Sequence, residues 1–550
     1  MADVAVKQPG RQAIWMKLVD PAESRKRAFV LTAAATALTL VGSFLNFLNY
    51  NAYPVTSPEA LLVLGGLLAA SILVGLTGAG LGVFGQMVIP IMLVVVAVQA
   101  NFQVGFVPLY ACAAALLARF ARQALILWFA VVTISQLWTA MMGAESRPPV
   151  VNKTVQVGSA ASATPDIAVV HLVLDEHIGL EGIPESVPGG PELQAQLRSF
   201  YLGHGFRIMA GAYSESLHTV NAIPRMLSLR SEMPWKKRGR GGTTLKENRY
   251  FDSLQAMGLQ IVVAQTDWVD YCGHPAVATC MTRVAGDMID MDDQLPISDK
   301  AALLVYRFTA LSGFATGMLS IYDVAAVLGQ RAGLPLPVVQ LVQRTTTSTL
   351  NGMATFDWAI EQAKSLVPGR AIFAHVLLPH YPYSYDANCR VRPVADWLGR
   401  LSSVPWEDRY AAYFDQVACA TRKVDELLSA IRSSPAAGKT VIIIHGDHGS
   451  RITHVDPTIE HDGEFSGRDL VDGHAAFFAV SAPGIEPGYE TGRYSLRLIL
   501  TALVESRFRT AVPTLPADFV PTIQIEDIDK TPIVERPVGD VEWWDADQAD

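Results

Sequence analysis

Apolar positions in this 550-residue chain are concentrated near its N-terminus. Between Arg27 and Glu145 only three charged residues occur, and the remainder is dominated by Leu, Val, Ala, Ile, Phe and Gly. A helix of roughly 20 apolar residues is long enough to cross the hydrocarbon core of a bilayer. The pattern therefore predicts an α-helical membrane bundle over residues 28–143, with about five spans at 28–50, 59–79, 82–100, 104–119 and 123–143.

Basic residues set the expected orientation of these spans, because cytoplasmic loops are enriched in Lys and Arg. Arg25, Lys26 and Arg27 precede the first span, and Arg119 and Arg122 lie between the fourth and the fifth. An odd number of spans then makes residues 1–27 a cytoplasmic leader and exports everything after residue 145. We expect no cleaved signal peptide, since the apolar stretch follows a long polar leader and continues into further spans.

The pattern changes after the last span. Residues 144–165 have no apolar period and are typical of a linker. Apolar runs at Ile167–Leu174 and Thr440–Ile444 predict buried parallel strands, and helical periods lie between them at Arg249–Met257 and Tyr410–Ile431. Strands that alternate with helices predict an α/β domain with a mainly parallel sheet. We place it at residues 166–519 and assign residues 520–550 to a polar tail without a role.

Composition supports this division. Half of the residues are apolar, 17% are charged and the mean hydropathy is +0.26, which excludes a disordered chain and is too apolar for an ordinary soluble enzyme. The balance of 43 basic and 52 acidic residues argues against nucleic acid as a partner. The one basic run, Lys236 to Arg240, is either attracted to anionic headgroups or simply solvated. The apolar stretch 301–329 is either a pair of helices on the membrane surface or a buried core helix.

Four of the five cysteines lie beyond residue 145, which suggests two disulfides in an exported domain. The pairing that we expect is Cys272 with Cys280 and Cys389 with Cys419, and the alternative is four buried free thiols.

Candidate functional residues lie directly after two of the predicted strands. One strand ends in Asp175-Glu176, and the other is followed by Asp447-His448. Ligands of α/β sheets bind beyond the carboxyl ends of strands, and carboxylate and imidazole groups suit Zn or Mn. An acidic pair after a strand is also common in helix caps and surface turns. Thr219, in a hydroxyl-rich segment before a helical pattern, is a candidate nucleophile if a metal lowers its pKa, and otherwise a helix cap.

Together these segments resemble the alkaline-phosphatase superfamily, in the sulfatase-like branch that includes membrane-anchored lipoteichoic acid synthases and phosphoethanolamine transferases. The resemblance covers about residues 166–505. Its motifs are the strand ending in Asp175-Glu176, Thr219 with Pro224 five residues on, Asp447-His448, the strand and His-x-Pro turn at 374–383, the segment 250–254 before a strand, and Asp472-Gly473-His474.

The resemblance implies roles for individual residues. Thr219 would be the nucleophile that takes up a phosphoryl group and, with Asp447, His448 and the acidic pair, would hold one divalent metal ion. Within the pair, Glu176 matches the transferases and Asp175 matches the sulfatases. The catalytic set is completed by His380 and His474, which would contact the donor phosphate or the leaving group.

Departures from the family pattern disfavour some of the reactions that the family catalyses. Sulfatases need a Cys or Ser two residues before the proline, where this chain has Ala222, so sulfate-ester hydrolysis is disfavoured. The cysteine pair that phosphoethanolamine transferases carry around the nucleophile is missing, which weakens phosphoethanolamine as the transferred group. A further set, His454, Asp456, His461 and Asp462, has no spacing that fits a second metal site.

We therefore expect a multi-pass protein of the cell inner membrane with a periplasmic catalytic domain. It would move a phospho-alcohol group, such as phosphoglycerol, from a phospholipid to an envelope glycan or lipid through a phosphothreonine intermediate. The alternatives are a phosphoesterase that uses water as the acceptor and a membrane protein that keeps the fold without catalysis.

Overall fold

The computed structural model describes residues 25–51, 53–80, 130–131, 134, 137, 150–154, 165–230, 243–245, 247–266, 268–283, 295–311, 347–400, 404–453, 455–458, 465–526 and 532–538. The chain forms two units. Residues 1–146 and 296–345 make up the first, and residues 147–295 and 346–550 make up the second.

Helices are numbered here in chain order over both units. They are α1 (Arg25–Tyr50), α2 (Pro58–Gly80), α3 (Gly190–Gly203), α4 (Thr219–Ser228), α5 (Arg249–Ala256), α6 (Ile297–Leu311), α7 (Ser348–Lys364), α8 (Trp406–Arg432), α9 (Gly467–His474) and α10 (Leu496–Glu505). Short 3-10 helices lie at Leu180–Gly182 and Val394–Asp396.

Strands lie in the second unit. They are β1 (Val150–Thr154), β2 (Ala168–Leu174), β3 (Arg207–Met209), β4 (Ala212–Tyr213), β5 (Thr243–Thr244), β6 (Gln260–Thr266), β7 (Val269–Asp270), β8 (Val277–Arg283), β9 (Arg370–Val376), β10 (Thr440–Gly446), β11 (Phe478–Ser481), β12 (Gly488–Glu490), β13 (Tyr494–Ser495), β14 (Thr522–Glu526) and β15 (Pro532–Pro537).

The first unit contains α1, α2 and α6. Windows in α1 (Thr32–Asn49) and α2 (Pro58–Gly80) are long and apolar enough to cross a membrane, and they overlap the first two predicted spans. Leucines along α2, such as Leu62 and Leu73, are exposed, as lipid contact would require. Apart from four single residues of the last one, the predicted spans 82–100, 104–119 and 123–143 lie outside the described residues. The five-span bundle therefore stays a prediction.

Helix α6 belongs to this first unit, although we placed residues 296–345 within the catalytic domain. Phe308 of α6 packs edge-on against Phe44 of α1, with ring centroids 5.3 Å apart, so its apolar face is covered by another apolar helix. The apolar stretch predicted at 301–329 continues beyond α6, and its residues after 311 lie outside the described residues.

A nine-stranded sheet organises the second unit, in the order β1-β8-β6-β9-β2-β10-β11-β3-β12. Strands β8, β6, β9, β2 and β10 are parallel to their neighbours within this run, while β1 and β11 are antiparallel additions. This confirms the prediction of an α/β domain with a mainly parallel sheet. The strands predicted at Ile167–Leu174 and Thr440–Ile444 are β2 and β10, and the predicted helices are α5 and α8.

The central strands are continuous apolar runs because both faces of the sheet are covered. All seven residues of β2 and of β10 are buried. The apolar run of β2 is interrupted by His171, whose register partner in β10 is Ile443, and β10 carries His445 two positions further along. Their Nε2 atoms lie 2.7 Å apart, and burial lowers the pKa of both rings. A neutral pair that shares one hydrogen bond satisfies the Nε2 atoms of both rings, whereas Nδ1 of His171 is buried without a hydrogen-bond partner among the described residues.

Segments without apolar period also carry strands. In the predicted linker, β1 pairs with β8. In the predicted polar tail, β14 and β15 form an antiparallel hairpin, in which Ile523 and Ile525 of β14 are buried. The second unit thus extends beyond the limits, 166 and 519, that we predicted for the α/β domain.

Two disulfides are present, Cys272 with Cys280 and Cys389 with Cys419, and these are the pairs that we expected. Disulfides persist in oxidising compartments, which suits an extracytoplasmic location for this unit. The basic run from Lys236 to Arg240 lies outside the described residues.

Candidate metal and phosphoryl-transfer site

The central side chains of the site lie at the ends of three neighbouring strands. In the register of the sheet, Leu174 of β2 lies opposite Gly446 of β10 and Val376 of β9. Asp175 therefore follows β2 at the same sheet edge at which Asp447 follows β10 and at which His375 is the last residue but one of β9. Ligand atoms of these three residues lie within 4.8 Å of one another, and all three residues are buried. This edge is where ligands of parallel α/β sheets bind.

Thr219 reaches the same place from the first position of α4. Its Oγ1 donates a hydrogen bond to Oδ2 of Asp175 at 3.3 Å and lies 3.2 Å from Nε2 of His448. The cap position of α4 belongs to His218, whose side chain makes no capping hydrogen bond. The Thr219 hydroxyl is thus directed at the strand ends and does not serve as the helix cap that was the alternative interpretation.

Each carboxylate of the central pair is anchored by one oxygen only. Oδ2 of Asp175 accepts from Thr219 and lies 3.1 Å from Nε2 of His375, while Oδ1 of Asp447 accepts from the backbone N–H groups of Glu176 and His448 at 3.0 Å. The other oxygens, Oδ1 of Asp175 and Oδ2 of Asp447, are buried and have no hydrogen-bond partner among the described residues. Buried, unpaired carboxylate oxygens are costly unless a cation neutralises them.

The pKa values of the two carboxyl groups also indicate that the site requires a cation. Burial raises the pKa of Asp175 to about 6, opposed by nearby His380, and raises the pKa of Asp447 to about 7, reinforced by the charge of Asp175. Without a cation the site therefore tends to hold protons in place of full negative charge. A divalent ion would displace them.

His448 is oriented as a metal ligand would be. Its Nδ1 donates to the carbonyl oxygen of Gly449 at 2.9 Å, and burial lowers its pKa well below the usual value. The neutral ring therefore carries its proton on Nδ1, and the lone pair of Nε2 faces Thr219 and Oδ2 of Asp447, at 3.2 Å from each. Asp175, Asp447, His448 and Thr219 thus offer one nitrogen and three oxygen donors, a set that fits Zn or Mn.

The two members of the acidic pair face different partners. Asp175 contacts Thr219, whereas Glu176, in the left-handed region at φ 64°, forms an ion pair with buried Arg451. Its Oε1 also lies 3.7 Å from Nε2 of His380. Ligand atoms of Asp175, Glu176 and His380 lie within 4.8 Å of one another, so a cation contacting Glu176 would lie on the His380 side of Asp175.

His380 lines the Glu176 side of the site. It is nearly buried, its ring stacks on that of Tyr381 with centroids 4.2 Å apart, and Trp268 packs against it edge-on at 5.0 Å. Gln416 of α8 holds the turn by donating to the carbonyl oxygens of Pro379 and His380. This arrangement positions His380 beside the acidic pair.

His474 is placed differently. It ends α9, where its Nδ1 donates to the carbonyl oxygen of Ser214 at 3.0 Å, and burial lowers its pKa to about 4. Its Nε2 is buried without a hydrogen-bond partner among the described residues. This hydrogen bond joins His474 to the segment that leads to Thr219.

Sequence reasoning missed two residues of the site, His375 and Arg451. A polar residue near the end of the apolar strand β9 was the available signal for His375, and Arg451 lies four residues after Asp447. Of the further acid and histidine set, Asp456 makes a bidentate ion pair with Arg400 at 2.8 and 2.9 Å. The residues His454, His461 and Asp462 lie outside the described residues.

No protein-family model matches the chain, and a search of curated proteins found no similar sequence. Solved structures do resemble it. The C-terminal periplasmic domain of EcEptC from Escherichia coli, in complex with Zn, is 12% identical with a TM-score of 0.38, and the match covers 72% of this chain and 99% of that one. BT1596, a 2-O GAG sulfatase, is 14% identical with a TM-score of 0.37, over 64% of this chain and 72% of that one.

The phosphonate monoester hydrolase of Agrobacterium radiobacter is 12% identical with a TM-score of 0.36, over 66% of this chain and 81% of that one. Scores below 0.5 leave the chemistry to be argued from the side chains of the site. The resemblance to the sulfatase-like branch therefore rests on the sequence motifs.

Proposed function

We propose that the second unit is a metal-dependent transferase that moves a phospho-alcohol group, such as phosphoglycerol, from a phospholipid to an envelope glycan or lipid. The observation that carries this proposal is the position of the Thr219 hydroxyl. It lies 3.3 Å from Asp175 and 3.2 Å from His448, beside two buried carboxylate oxygens that have no hydrogen-bond partner within the described part of the chain. A hydroxyl nucleophile among metal-ligand side chains is what group transfer through a covalent intermediate requires.

Asp175, Asp447, His448 and Thr219 would hold the divalent ion. When bound, such an ion polarises a phosphoryl oxygen and lowers the pKa of a coordinated hydroxyl. Asp175 orients the Thr219 hydroxyl by accepting its hydrogen bond, and Asp447 fixes the strand-end turn through the N–H groups of Glu176 and His448. The chain thus presents Thr219 in one orientation to an incoming phosphorus atom.

Two displacements complete the reaction. In the first, the hydroxyl proton of Thr219 passes to Asp175, its hydrogen-bond acceptor, the bond from Oγ1 to phosphorus forms, and the bond from phosphorus to the lipid oxygen breaks as diacylglycerol takes a proton from His380. In the second, an acceptor hydroxyl attacks phosphorus and gives its proton to His380, the bond from phosphorus to Oγ1 breaks, and Thr219 takes back its proton from Asp175. Nε2 of His380 lies 3.7 Å from Oε1 of Glu176, and we assign to His380 the protonation of the leaving alkoxide.

A membrane location supports a lipid donor. The first unit carries two helices of membrane-spanning length, and the catalytic unit carries two disulfides. We propose that the protein is anchored in the inner membrane with this unit outside the cytoplasm, where phospholipid headgroups and envelope glycans are both within reach.

The test is the intact mass of the metal-loaded protein after incubation with phosphatidylglycerol. Wild type should gain the mass of one phosphoglycerol group and release diacylglycerol, and so should the control Thr491→Ala, which removes an exposed hydroxyl. Thr219→Ala should do neither. If phosphatidylglycerol is cleaved at the same rate with and without an acceptor, water is the acceptor and the protein is a phosphoesterase. Adduct formation by Thr219→Ala would refute Thr219 as the nucleophile.

A further inference from the structure

Asp472 of α9 is a buried carboxylate that the proposed mechanism does not use. Its side chain is fully buried, and burial of a carboxylate is costly unless hydrogen bonds and an opposite charge compensate it. Arg468, one helical turn earlier, supplies the opposite charge, with its Nη2 3.5 Å from Oδ1 of Asp472. The two carboxylate oxygens also accept hydrogen bonds, from the hydroxyls of Tyr410, Ser450 and Thr453 and from the backbone N–H groups of Ile452 and Thr453.

Most of these donors belong to one segment, residues 449–453, which directly follows the strand-end ligands of β10. The backbone of α9 holds the same segment, because the N–H of Arg451 donates to the carbonyl oxygen of Asp472 at 3.1 Å. The N–H of Gly449 donates to the carbonyl oxygen of Gly473 at 2.9 Å. A Cβ atom at position 449 would lie 2.0 Å from the carbonyl oxygen of Asp472, so this close approach requires glycine. Every residue of the segment is thus held by Asp472 or by its neighbour Gly473.

The segment provides two contacts of the candidate metal site. The carbonyl oxygen of Gly449 accepts the hydrogen bond from Nδ1 of His448, which leaves the lone pair of Nε2 facing Thr219. Arg451 forms the buried ion pair that engages Glu176. Both contacts therefore depend on where this segment lies.

Arg451 adopts a backbone conformation that needs support from its surroundings. Its φ of 55° lies in the left-handed region, which is uncommon for a residue other than glycine. Such conformations persist where neighbouring contacts over-determine them. Here the carbonyl oxygen of Asp472 accepts from the N–H of Arg451, and Oδ2 of Asp472 accepts from the N–H groups of Ile452 and Thr453. The Asp472 carboxylate thus holds the backbone directly after Arg451.

We infer that Asp472 is a positioning residue of the proposed metal site. By holding residues 449–453, it directs Nε2 of His448 at the metal position and keeps Arg451 on Glu176. Groups that orient metal ligands raise metal affinity, because the ligands are already ordered when the ion binds. The inference deepens the proposed function and rests on it, since it concerns the ion that would activate the nucleophile.

A residue that merely stabilises α9 is the competing explanation, and another buried aspartate of the same helix provides the matched control. Asp469 accepts hydrogen bonds from Ser466 in a capping box and from the N–H of Val455, and neither donor belongs to the segment 449–453. Asp469→Ala therefore removes a buried acceptor from α9 and leaves the contacts of Asp472 in place. The test variant is Asp472→Ala.

The conservative variant Asp472→Asn tests whether the hydrogen bonds are the cause. Its amide oxygen keeps an acceptor for the N–H groups of Ile452 and Thr453. Its amide nitrogen donates to the hydroxyls of Tyr410 and Ser450, which accept hydrogen bonds as well as donate them. Asp472→Asn should therefore keep the segment in place, whereas Asp472→Ala leaves both N–H groups without this acceptor.

The measurements are calorimetric titration of the full-length protein with Zn and the visible absorption of its Co complex, which reports the geometry of the ligands. Asp472→Ala should weaken Zn binding by about 10- to 100-fold, the range typical of groups that orient metal ligands, and should change the Co spectrum. Asp472→Asn should recover most of this loss, to within about 5-fold of wild type. Asp469→Ala should bind Zn as wild type does and lower only the unfolding midpoint.

Wild-type Zn affinity in Asp472→Ala would overturn the inference. Equal losses in Asp472→Ala and Asp469→Ala, or a loss in Asp472→Asn as large as in Asp472→Ala, would also contradict it. If Asp472→Ala does not fold, Ser450→Ala removes one donor of the same contact and should weaken Zn binding by about 3- to 10-fold. Unchanged Zn binding by Ser450→Ala would then refute the inference.

Failure of the proposed function is recognised separately, because wild type would then bind neither Zn nor Mn. In that case hydrogen exchange of residues 447–453 decides whether Asp472 positions them. Their amides should exchange at least about 10-fold faster in Asp472→Ala than in wild type or Asp469→Ala. Equal exchange in the three proteins would overturn the positioning role.

Discussion

The hydroxyl oxygen of Thr219 lies 3.2 Å from Nε2 of His448, and the proton of that hydroxyl is donated to Asp175. Since Nδ1 of His448 donates to the carbonyl oxygen of Gly449, two lone pairs face each other across this distance. Such an arrangement is stable when a cation lies between the two atoms. Thr219 and His448 are thus arranged as two ligands of one ion.

In the metal-free protein, Asp447→Asn should be more stable than wild type, and the difference should increase as the pH rises. Asp447 has a pKa of about 7 in the folded protein, raised by burial and by the charge of Asp175, against about 4 when unfolded. The folded state therefore binds more protons between these values, and the contribution of Asp447 to stability, complete below about pH 4, is lost as the pH rises to about 7. Asp447→Asn does not titrate and escapes this loss.

The check is the free energy of unfolding of the metal-free protein as a function of pH, for wild type and Asp447→Asn. The difference in favour of the variant should grow between about pH 4 and pH 7 by up to about 1.4 kcal/mol per pH unit. Saturating Zn should reverse the order, because only wild type keeps the full ligand set. A difference that is independent of pH would show that Asp447 is ionised in the metal-free fold.

Metal binding should depend more on Asp175 than on Glu176. Asp175 offers an unpaired oxygen beside Thr219, whereas Glu176 is engaged by Arg451. We expect Asp175→Asn to lower Zn affinity by more than about 100-fold and Glu176→Gln by about 10- to 100-fold, since changes to groups outside the ligand set typically weaken binding by the smaller factor. Calorimetric titration with Zn measures both, and the opposite order would make Glu176 the ligand.

Much of the catalytic unit is predictable from sequence because its strands are uninterrupted apolar runs. The strands β2 and β10 and the chemistry at their ends, Asp175 and Asp447, follow from this pattern and from the rule that ligands lie at the carboxyl ends of parallel strands. Thr219 required the family resemblance, because nothing in its local sequence separates a nucleophile from a helix cap.

Other parts depend on contacts between distant segments. Glu526, in a segment whose alternation of Ile523 and Ile525 is too short to predict a strand, forms an ion pair with His218, 308 positions away. Asp175 contacts Thr219 whereas Glu176 does not, and this difference depends on the ion pair of Glu176 with Arg451 and on the left-handed backbone at Glu176. Neither contact leaves a local pattern in the sequence, so only the fold reveals it.

The two disulfides should differ in their contribution to stability. A disulfide restricts the unfolded chain more when it closes a longer loop, which gives about 3 to 4 kcal/mol for a separation of 30 residues and about 2 to 3 kcal/mol for a separation of 8. Replacing Cys389 and Cys419 by serine should therefore lower the free energy of unfolding by about 1 kcal/mol more than replacing Cys272 and Cys280. Denaturant titration of both double variants measures this, and the reverse order would contradict a loop-length origin.

Arg451 should be essential for stability through its charge. Arg451 and Glu176 are both buried, so Arg451→Met leaves the Glu176 carboxylate without its ion-pair partner. Loss of one member of a buried pair typically costs about 3 to 5 kcal/mol, whereas replacing both members by neutral residues is close to neutral. Arg451→Met should thus be strongly destabilised, and the Arg451→Met/Glu176→Gln double variant should regain most of the loss.

The control is Arg432→Met, which removes an exposed arginine 3.8 Å from Asp425 and should cost less than about 1 kcal/mol. If Arg451→Met were no less stable than Arg432→Met in denaturant titration, the pair would contribute no more than a surface contact, and Glu176 would be held by His380 and the backbone of Tyr381 instead.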